Sequence, residues 1–180
     1  MIYEINKSLE FLRNGKIILY PTDTIWGIGC DATNIKSVRK IYQIKKRNDS
    51  KSLVILVSDK NMLNEMTSEV HPLSLSKYPT TIIYPKVRGL PEHIKSTDGS
   101  VAIRIVQDDF CKKVINELGK PIVSTSANIS GEKHPLGFNE ISRQILKQCD
   151  HIVDLRKDEK NINPSRIIKL EKNGEIIKIR

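Results

Sequence analysis

Short apolar runs that alternate with amphipathic helical patterns constrain the fold of this chain more than any other feature. Residues 53–57 and 101–106 are apolar at almost every position, which is typical of strands buried on both faces of a sheet. Helical patterns precede the first run and follow the second. The Asn-Gly pair at residues 173–174 predicts a tight hairpin, and therefore at least one antiparallel pair of strands. We predict an α/β fold in which helices pack on a twisted, mixed sheet.

The individual elements follow from the periodicity and from capping residues. Asn6 is a candidate N-cap for a first helix that ends before Gly15, and Asn34 is a candidate N-cap for a second helix. The predicted apolar face of the second helix consists of Ile35, Val38, Ile41 and Tyr42. Further helices are predicted at residues 61–66, 72–77, 108–118 and 139–147, and strands at residues 16–20, 53–57, 80–84, 101–106, 121–125, 152–155, 166–170 and 175–180. Because no linker or repeat divides the chain, residues 1–180 are expected to form a single domain with no additional C-terminal domain.

The charge balance of the chain is basic. Lys and Arg number 30 against 21 Asp and Glu, which gives a formal net charge of +9 in 180 residues. Such a surplus favours contact with phosphates, nucleic acid or small anions without deciding among them. No window reaches the roughly 18 apolar residues of a membrane-spanning helix, and the N-terminus lacks the basic and then apolar run of a signal peptide. We therefore expect a cytoplasmic protein with no membrane partner.

The cysteines and histidines do not form a metal-binding pattern. Cys30, Cys111 and Cys149 lie far apart and include no CxxC pair, so they are interpreted as reduced, packed thiols. The four histidines show neither HxxxH nor HxH spacing. The sequence therefore predicts no metal-ligating residues.

Arg104 is the charged residue in an otherwise apolar strand, where it shares a face with Ala102 and Val106. A guanidinium buried there needs a carboxylate or phosphate partner because its desolvation is costly. Two interpretations stay open: an internal salt bridge or edge position, and a site for an anionic ligand.

Three other segments place polar groups beside apolar patterns. Lys45 falls on the buried face of the second helix, so its ammonium should reach past that face, although a solvated helix end is the alternative. Residues 124–131 and 20–24 continue strands into hydroxyl and amide side chains, as ligand sites at strand ends often do. Capping of the next turn is the alternative there. A nucleotide would have to bind without a Walker loop, because no GxxxxGK(S/T) occurs.

Together these segments resemble one family. The matching motifs are YPTDTIWGIGCDA at residues 20–32, close to PT(E/D)TVYGLG; IKKR at 44–47, matching KxR; SVAIR at 100–104; PIVSTSANISG at 121–131, containing SxN; PSRII at 164–168, similar to PSTI; and the final Ile-Arg, similar to LRxG. The chain resembles the YrdC-like family of threonylcarbamoyl-AMP synthases over nearly its whole length. Arg166 departs from the family pattern, where threonine is usual.

The resemblance implies a fold with a concave basic cavity and assigns roles by matched position. A threonine site would consist of Thr24, Arg104 and Ser124. A nucleotide site would consist of Lys45, Arg47, Lys51, Ser100, Ser126, Asn128, Ser165 and Arg180. The residues expected to be catalytic are Lys45, Arg47 and Arg104.

The resemblance also implies a reaction and its partners. Members of the family are nucleotidyltransferases that condense L-threonine, bicarbonate and ATP into threonylcarbamoyl-AMP and pyrophosphate, for the threonylcarbamoyladenosine modification of tRNA. ATP would be a substrate accompanied by Mg²⁺, and tRNA would be reached directly or through downstream transfer proteins. Two alternatives stay open: a noncatalytic RNA- or nucleotide-binding paralogue, and an enzyme that makes a different carbamoyl-like adenylate on the same scaffold.

Overall fold

The computed structural model describes residues 1–46, 53–160, 163–171 and 173–180. The helices are α1 (Ile2–Arg13), α2 (Ile35–Lys45), α3 (Lys60–Met66), α4 (Asp109–Leu118) and α5 (Arg143–Leu146). The strands are β1 (Ile18–Tyr20), β2 (Gly27–Gly29), β3 (Val54–Val57), β4 (Thr80–Tyr84), β5 (Val101–Ile105), β6 (Ile122–Ser126), β7 (His151–Ile152), β8 (Arg166–Leu170) and β9 (Ile176–Lys178). Turns of 3₁₀ helix lie at Pro72–Leu75, Glu92–Ile94 and Phe138–Glu140.

The strands of the described residues form one mixed sheet in the order β7-β1-β2-β6-β3-β5-β4-β8-β9. Three neighbouring pairs are parallel, namely β1 with β7, β3 with β5, and β4 with β8. The other neighbours are antiparallel, including the hairpin of β8 and β9 on either side of Gly174. The predicted α/β class and the mixed sheet are therefore confirmed.

Apolar side chains on the two faces of the sheet form two core clusters. In β1, Leu19 points into the cluster that contains residues of α2 and α3, and Ile18 and Tyr20 point into the cluster that contains residues of α1 and α4. The same alternation occurs in β3, where Ile55 and Leu56 belong to different clusters. Helices therefore cover both faces of the sheet, as the fully apolar strands predict.

Capping residues bound two of the helices, and the Asn34 cap is the one that the sequence predicts. The Asn34 side chain accepts hydrogen bonds from the backbone N–H groups of Lys36 and Ser37 at the start of α2. Asp108 caps α4 at its start, and Gly119 ends α4 in the left-handed conformation at φ +70°.

Four sequence-based predictions of helical structure are wrong. The helix predicted at 72–77 is a 3₁₀ turn at Pro72–Leu75. Helix α1 begins at Ile2 instead of after Asn6, so a whole turn lies before the predicted cap. Ile35 does not join the buried face of α2 and is 47% exposed, because the first helical residue precedes the turn that packs on the sheet. The predicted helix at 139–147 is divided into a 3₁₀ turn and the short α5, with Ser142 capping the second piece.

Strand β2 is the element that the sequence analysis missed. Its two glycines lower the β-propensity of the segment, so no strand pattern is visible. The structure explains Gly29, because a Cβ atom there would lie 2.1 Å from the carbonyl oxygen of Val123 and 2.8 Å from the Tyr20 ring. The chain therefore needs glycine where β2 passes between these two groups.

Candidate functional site

A cavity of about 550 Å³ lies over the middle of the sheet. One row of neighbouring residues across five strands contributes to its floor: Lys169 on β8, Ile83 on β4, Ala102 on β5, Val54 on β3 and Ser124 on β6. Ala102 and Ser124 have small side chains, which leaves depth above the sheet at these positions. The cavity therefore results from small residues within a continuous sheet.

Seven of the residues predicted from the sequence line this cavity. They are Thr24, Ser100, Arg104, Ser124, Ser126, Ser165 and Arg180. Their positions in the chain span more than 150 residues, and the order of the strands brings them together.

Arg104 forms the internal salt bridge that the sequence left open as one interpretation, and it also lines the cavity. Its side chain is only 4% exposed, its Nη1 donates to Thr24 Oγ1 at 3.0 Å, and its Nη2 lies 3.2 Å from Asp23 Oδ1. The contact with Asp23 is an ion pair without hydrogen-bond geometry, and among the described residues Arg104 Nε has no hydrogen-bond partner. The guanidinium therefore has an internal counter-charge, and its five N–H groups exceed the one hydrogen bond that Thr24 accepts, while the residue lines the cavity.

Hydroxyl groups of Thr24, in the loop after β1, and of Ser124, in the middle of β6, line the same cavity as Arg104. Thr24 is held by Thr22, whose Oγ1 lies 3.0 Å from Thr24 Oγ1 and accepts from the Thr24 backbone N–H at 3.0 Å. Ser124 faces β2 where that strand has glycine, and a Cβ atom on Gly27 would lie 3.1 Å from Ser124 Oγ. These hydroxyls line the cavity beside the guanidinium and can bind the polar groups of a small ligand.

Arg180 places a second guanidinium at the cavity. Its Nε and Nη2 donate to the backbone carbonyl of Ser165 at 3.2 and 3.0 Å, and its backbone pairs with that of Ile167. Burial, together with repulsion from Arg104, lowers the pKa of Arg180 from its ordinary value. Both guanidinium groups line the same cavity, which favours an anionic ligand.

Asp98 and Lys169 are charged lining residues that the sequence analysis missed. Asp98 Oδ1 accepts hydrogen bonds from Ser100 Oγ at 2.6 Å and from the Ser100 N–H at 3.0 Å, and Asp98 Oδ2 lies 3.3 Å from Lys169 Nζ. The hydrogen bonds from Ser100 and the nearby Lys169 lower the pKa of Asp98. The spacing of Ser165, Ile167 and Lys169 along β8 is the signal that could have placed Lys169 at the site.

Lys45 and Asn128 lie outside the lining and are joined to each other. The Lys45 side chain is 1% exposed, and its Nζ donates to the backbone carbonyls of Ser126 at 2.6 Å and Asn128 at 2.7 Å. This confirms that the ammonium reaches past the apolar face of α2. The predicted site residues Arg47 and Lys51 lie outside the described residues.

The described residues offer no protein cage for a metal ion. No group of three or more His, Cys, Asp or Glu among them is arranged to hold one. Burial raises the pKa of Cys30, Cys111 and Cys149, and all three have free thiols. In the part of the chain that the structure covers, no helix is both long enough and apolar enough to span a membrane.

Comparison with known protein families identifies the family of this chain. The family model described as "Telomere recombination", which covers the Sua5, YciO and YrdC proteins, matches residues 10–180. The chain belongs to this family. The match begins inside α1 and includes every lining residue named above.

Two curated relatives in the family carry the name of one enzyme. The chain is 40% identical to the putative threonylcarbamoyl-AMP synthase of Methanocaldococcus jannaschii, in an alignment that covers 99% of this chain and 90% of that protein. It is 30% identical to the threonylcarbamoyl-AMP synthase of Pseudoalteromonas translucida over 83% of this chain and 84% of that protein.

Solved structures of family members share the fold. The structure of P. abyssi Sua5 complexed with L-threonine matches all of this chain with a TM-score of 0.88 and 26% identity. The chain spans about half of that protein, 54% of its length. Escherichia coli YciO matches with a TM-score of 0.84 over all of this chain and 89% of its own, and at 20% identity it supports the fold alone.

Proposed function

We propose that this protein is a nucleotidyltransferase that condenses L-threonine, bicarbonate and ATP into threonylcarbamoyl-AMP and pyrophosphate. The observation that carries the proposal is the buried Arg104, which lines the cavity and keeps donors that no described residue uses. A planar guanidinium suits an amino-acid carboxylate, because it can bind both oxygens of the group at once. The name of the M. jannaschii relative and the threonine complex of P. abyssi Sua5 support the same assignment.

We assign the lining residues to the two substrates. Arg104, Thr24 and Ser124 would hold threonine, with Arg104 on the carboxylate. Ser100, Ser126, Ser165 and Arg180 would contact the nucleotide, as their places in the lining allow. Lys45 and Asn128 would support the wall behind Ser126, and Arg47 and Lys51 complete the nucleotide set by their match to the family motif.

The reaction then follows in two steps. The neutral amine of threonine attacks the carbon of bicarbonate, a C–N bond forms, and water leaves to give a carbamate. A carbamate oxygen next attacks the α-phosphorus of ATP, and the bond to the β-phosphate oxygen breaks so that pyrophosphate leaves. The contribution of the protein is to hold the two reactants together and to offset negative charge with Arg104 and Arg180.

Mg²⁺ belongs to the proposal only as part of the Mg·ATP substrate. The cavity residues in the described ranges include a single carboxylate, that of Asp98, which already binds Ser100 and Lys169. Such a lining does not fit a metal ion held by the protein, and no step of the proposed mechanism depends on one. A triphosphate supplies oxygen ligands of its own.

A pyrophosphate assay tests the proposed function. Purified protein is supplied with ATP, L-threonine and bicarbonate, and threonine-dependent release of pyrophosphate is measured. We expect Arg104→Ala to reduce the rate by at least about 100-fold, because the carboxylate of threonine loses its partner. The matched control is Arg39→Ala, which removes an exposed arginine from α2 and should retain activity. Release no faster than that of the Arg104 variant would contradict the proposal, and ATP binding without turnover would favour a noncatalytic nucleotide-binding paralogue.

The net charge of +9 supports tRNA as a further partner, reached directly or through downstream transfer proteins. Phosphate contacts release counterions, so direct binding should weaken steeply as salt rises. A gel-shift titration of tRNA at 50 and 200 mM salt measures this, and we expect about a hundredfold loss of affinity if about four to five phosphates are contacted. A shift that is absent, or unaffected by salt, would exclude direct binding through phosphates.

A further inference from the structure

Asp98 controls which part of a ligand Ser100 can bind. We propose that Asp98 is a positioning residue that holds the Ser100 hydroxyl proton, so that Ser100 accepts a hydrogen bond from an uncharged donor on the nucleoside, a ribose hydroxyl or the adenine amino group. This inference rests on the proposed function and deepens it, because it states which end of the nucleotide lies at this end of the cavity.

The hydrogen bonds between the two residues support this role. A serine hydroxyl has one proton and two lone pairs, and the 2.6 Å bond from Ser100 Oγ to Asp98 Oδ1 uses that proton. The Ser100 backbone N–H donates to the same carboxylate oxygen at 3.0 Å, which fixes the carboxylate against the residue. Ser100 is 3% exposed and still lines the cavity. Its oxygen can therefore accept a hydrogen bond from a ligand but cannot donate one to a phosphate oxygen.

The distribution of charge along β5 points the same way. Ser100 and Arg104 lie four residues apart, about 13 Å in an extended strand. The Arg104 end has two guanidinium groups, whereas the Ser100 end combines Asp98 with Lys169, whose Nζ also lies 3.3 Å from Glu171 Oε1. The carboxylate of Asp98 would repel a phosphate at the Ser100 end, but it would not repel the neutral nucleoside. The phosphates and the threonine carboxylate are therefore expected toward Arg104.

A second cavity beyond this end of the site is acidic as well. It has a volume of about 540 Å³ and shares Asp98, Ser100 and Lys169 with the first, and its other lining residues include Glu171 and Glu175. Negative charge beyond Ser100 adds to the repulsion of phosphate. The nucleoside is thus the part of ATP that suits this region.

Calorimetric titration with nucleotide analogues tests the inference. ATP is compared with 2′-deoxyATP, 3′-deoxyATP and purine riboside triphosphate, each of which lacks one donor. We expect the wild-type protein to bind one of the three analogues about fivefold more weakly than ATP, because that analogue loses one hydrogen bond. The identity of the analogue shows whether Ser100 accepts from the ribose or from the base. Ser100→Ala should remove this discrimination, and Asp98→Ala should weaken it, because a freed hydroxyl can rotate and donate to an analogue as well as accept from ATP.

Two further variants separate positioning from folding. Asp98→Asn keeps an oxygen that accepts both hydrogen bonds of Ser100, so this variant should retain the discrimination between ATP and the analogue. Asp154→Ala is the matched control, since this exposed carboxylate also pairs with a lysine, Lys157. Equal affinity of wild-type protein for all four nucleotides, or unchanged discrimination in Asp98→Ala and Ser100→Ala, would overturn the inference and leave the proposed function standing. A failure to bind ATP at all would contradict the proposed function itself.

Discussion

At the residue scale, Lys45 connects the end of α2 to the segment that follows β6. Its buried ammonium donates to the carbonyl oxygens of Ser126 and Asn128, and the Ser130 backbone N–H donates to the Lys45 carbonyl at 2.9 Å. Because Ser126 lines the cavity, this connection sets the position of part of the site. Lys45 therefore belongs to the framework that supports the site.

Replacement of this ammonium should destabilise the protein. Lys45→Met keeps most of the apolar stem but leaves two carbonyl oxygens without a charged donor. We expect the free energy of unfolding to fall by about 2 kcal/mol, measured by urea denaturation. Lys36→Met, at an exposed position in the first turn of α2, is the control and should change stability by less than about 0.5 kcal/mol. Equal stability of the two variants would show that the buried hydrogen bonds contribute nothing net.

The sequence alone identified the functional candidates that interrupt an apolar pattern. Arg104 and Lys45 are conspicuous for this reason, and both are buried and bound to polar partners. Asp98 gave no such signal, because it lies in a polar loop before β5 where a charged residue is ordinary. Its importance depends on its hydrogen bonds with Ser100 and on Lys169, which is close to it only in the folded chain.

Arg166 departs from the family pattern and donates to Thr80 Oγ1 at 3.0 Å on the neighbouring strand.

At the element scale, the small side chains of the cavity floor matter most. Ala102 is the centre of the row that runs from Lys169 to Ser124, and its neighbours on either side are Ile83 and Val54. A larger residue at this position would point into open space above the sheet instead of into the packed core. The depth of the cavity is therefore separable from the stability of the fold.

Ala102→Leu should close the site without unfolding the protein. We expect the affinity for L-threonine and ATP to fall by more than about tenfold, because the added methyl groups occupy ligand volume. Calorimetric titration measures the affinities, and thermal unfolding should remain a single cooperative transition. Ala102→Ser, which adds one atom, is the size control. Retained affinity in Ala102→Leu would mean that the ligands bind elsewhere.

Long elements with regular periodicity were predictable, and short ones were not. The strands at Thr80–Tyr84 and Arg166–Leu170 have the predicted bounds, since β-branched residues occupy four of the five positions in the first strand and two adjacent positions in the second. Strand β2 consists of three residues, two of them glycine, and its pairing with β1 and β6 is decided by tertiary contacts. The order of strands in the sheet likewise has no local signal in the sequence.

At the scale of the whole molecule, the three thiols link stability to alkaline pH. Burial, with a smaller effect of Asp150, raises the pKa of Cys149 from 9.0 to about 12, and burial also raises that of Cys30 and Cys111. Between pH 9 and 12 the unfolded chain therefore binds fewer protons at Cys149 than the folded chain does. Stability from this group is complete below pH 9 and is lost as the pH rises toward 12.

Denaturation at two pH values measures this effect. In the presence of a reductant, the free energy of unfolding should be lower at pH 10 than at pH 7.5. The decrease should be smaller in Cys149→Ser, which has no thiol to ionise. The thiols should also react slowly with an alkylating reagent in the native protein at pH 8 and rapidly in urea, because burial protects them only in the folded chain. An equal decrease in both proteins would assign the alkaline loss to other groups.

Because the β8–β9 hairpin folds back across the sheet, Arg180 lies against the cavity with its guanidinium on the Ser165 carbonyl. Polypeptide attached beyond Arg180, whether natural or added as a purification tag, starts at the rim of the site. Enzymatic trimming from this end would remove a wall of the cavity before it reached the core. The N-terminus, where Ile2 and Tyr3 are exposed on α1, is the better place for a fusion partner or a surface attachment.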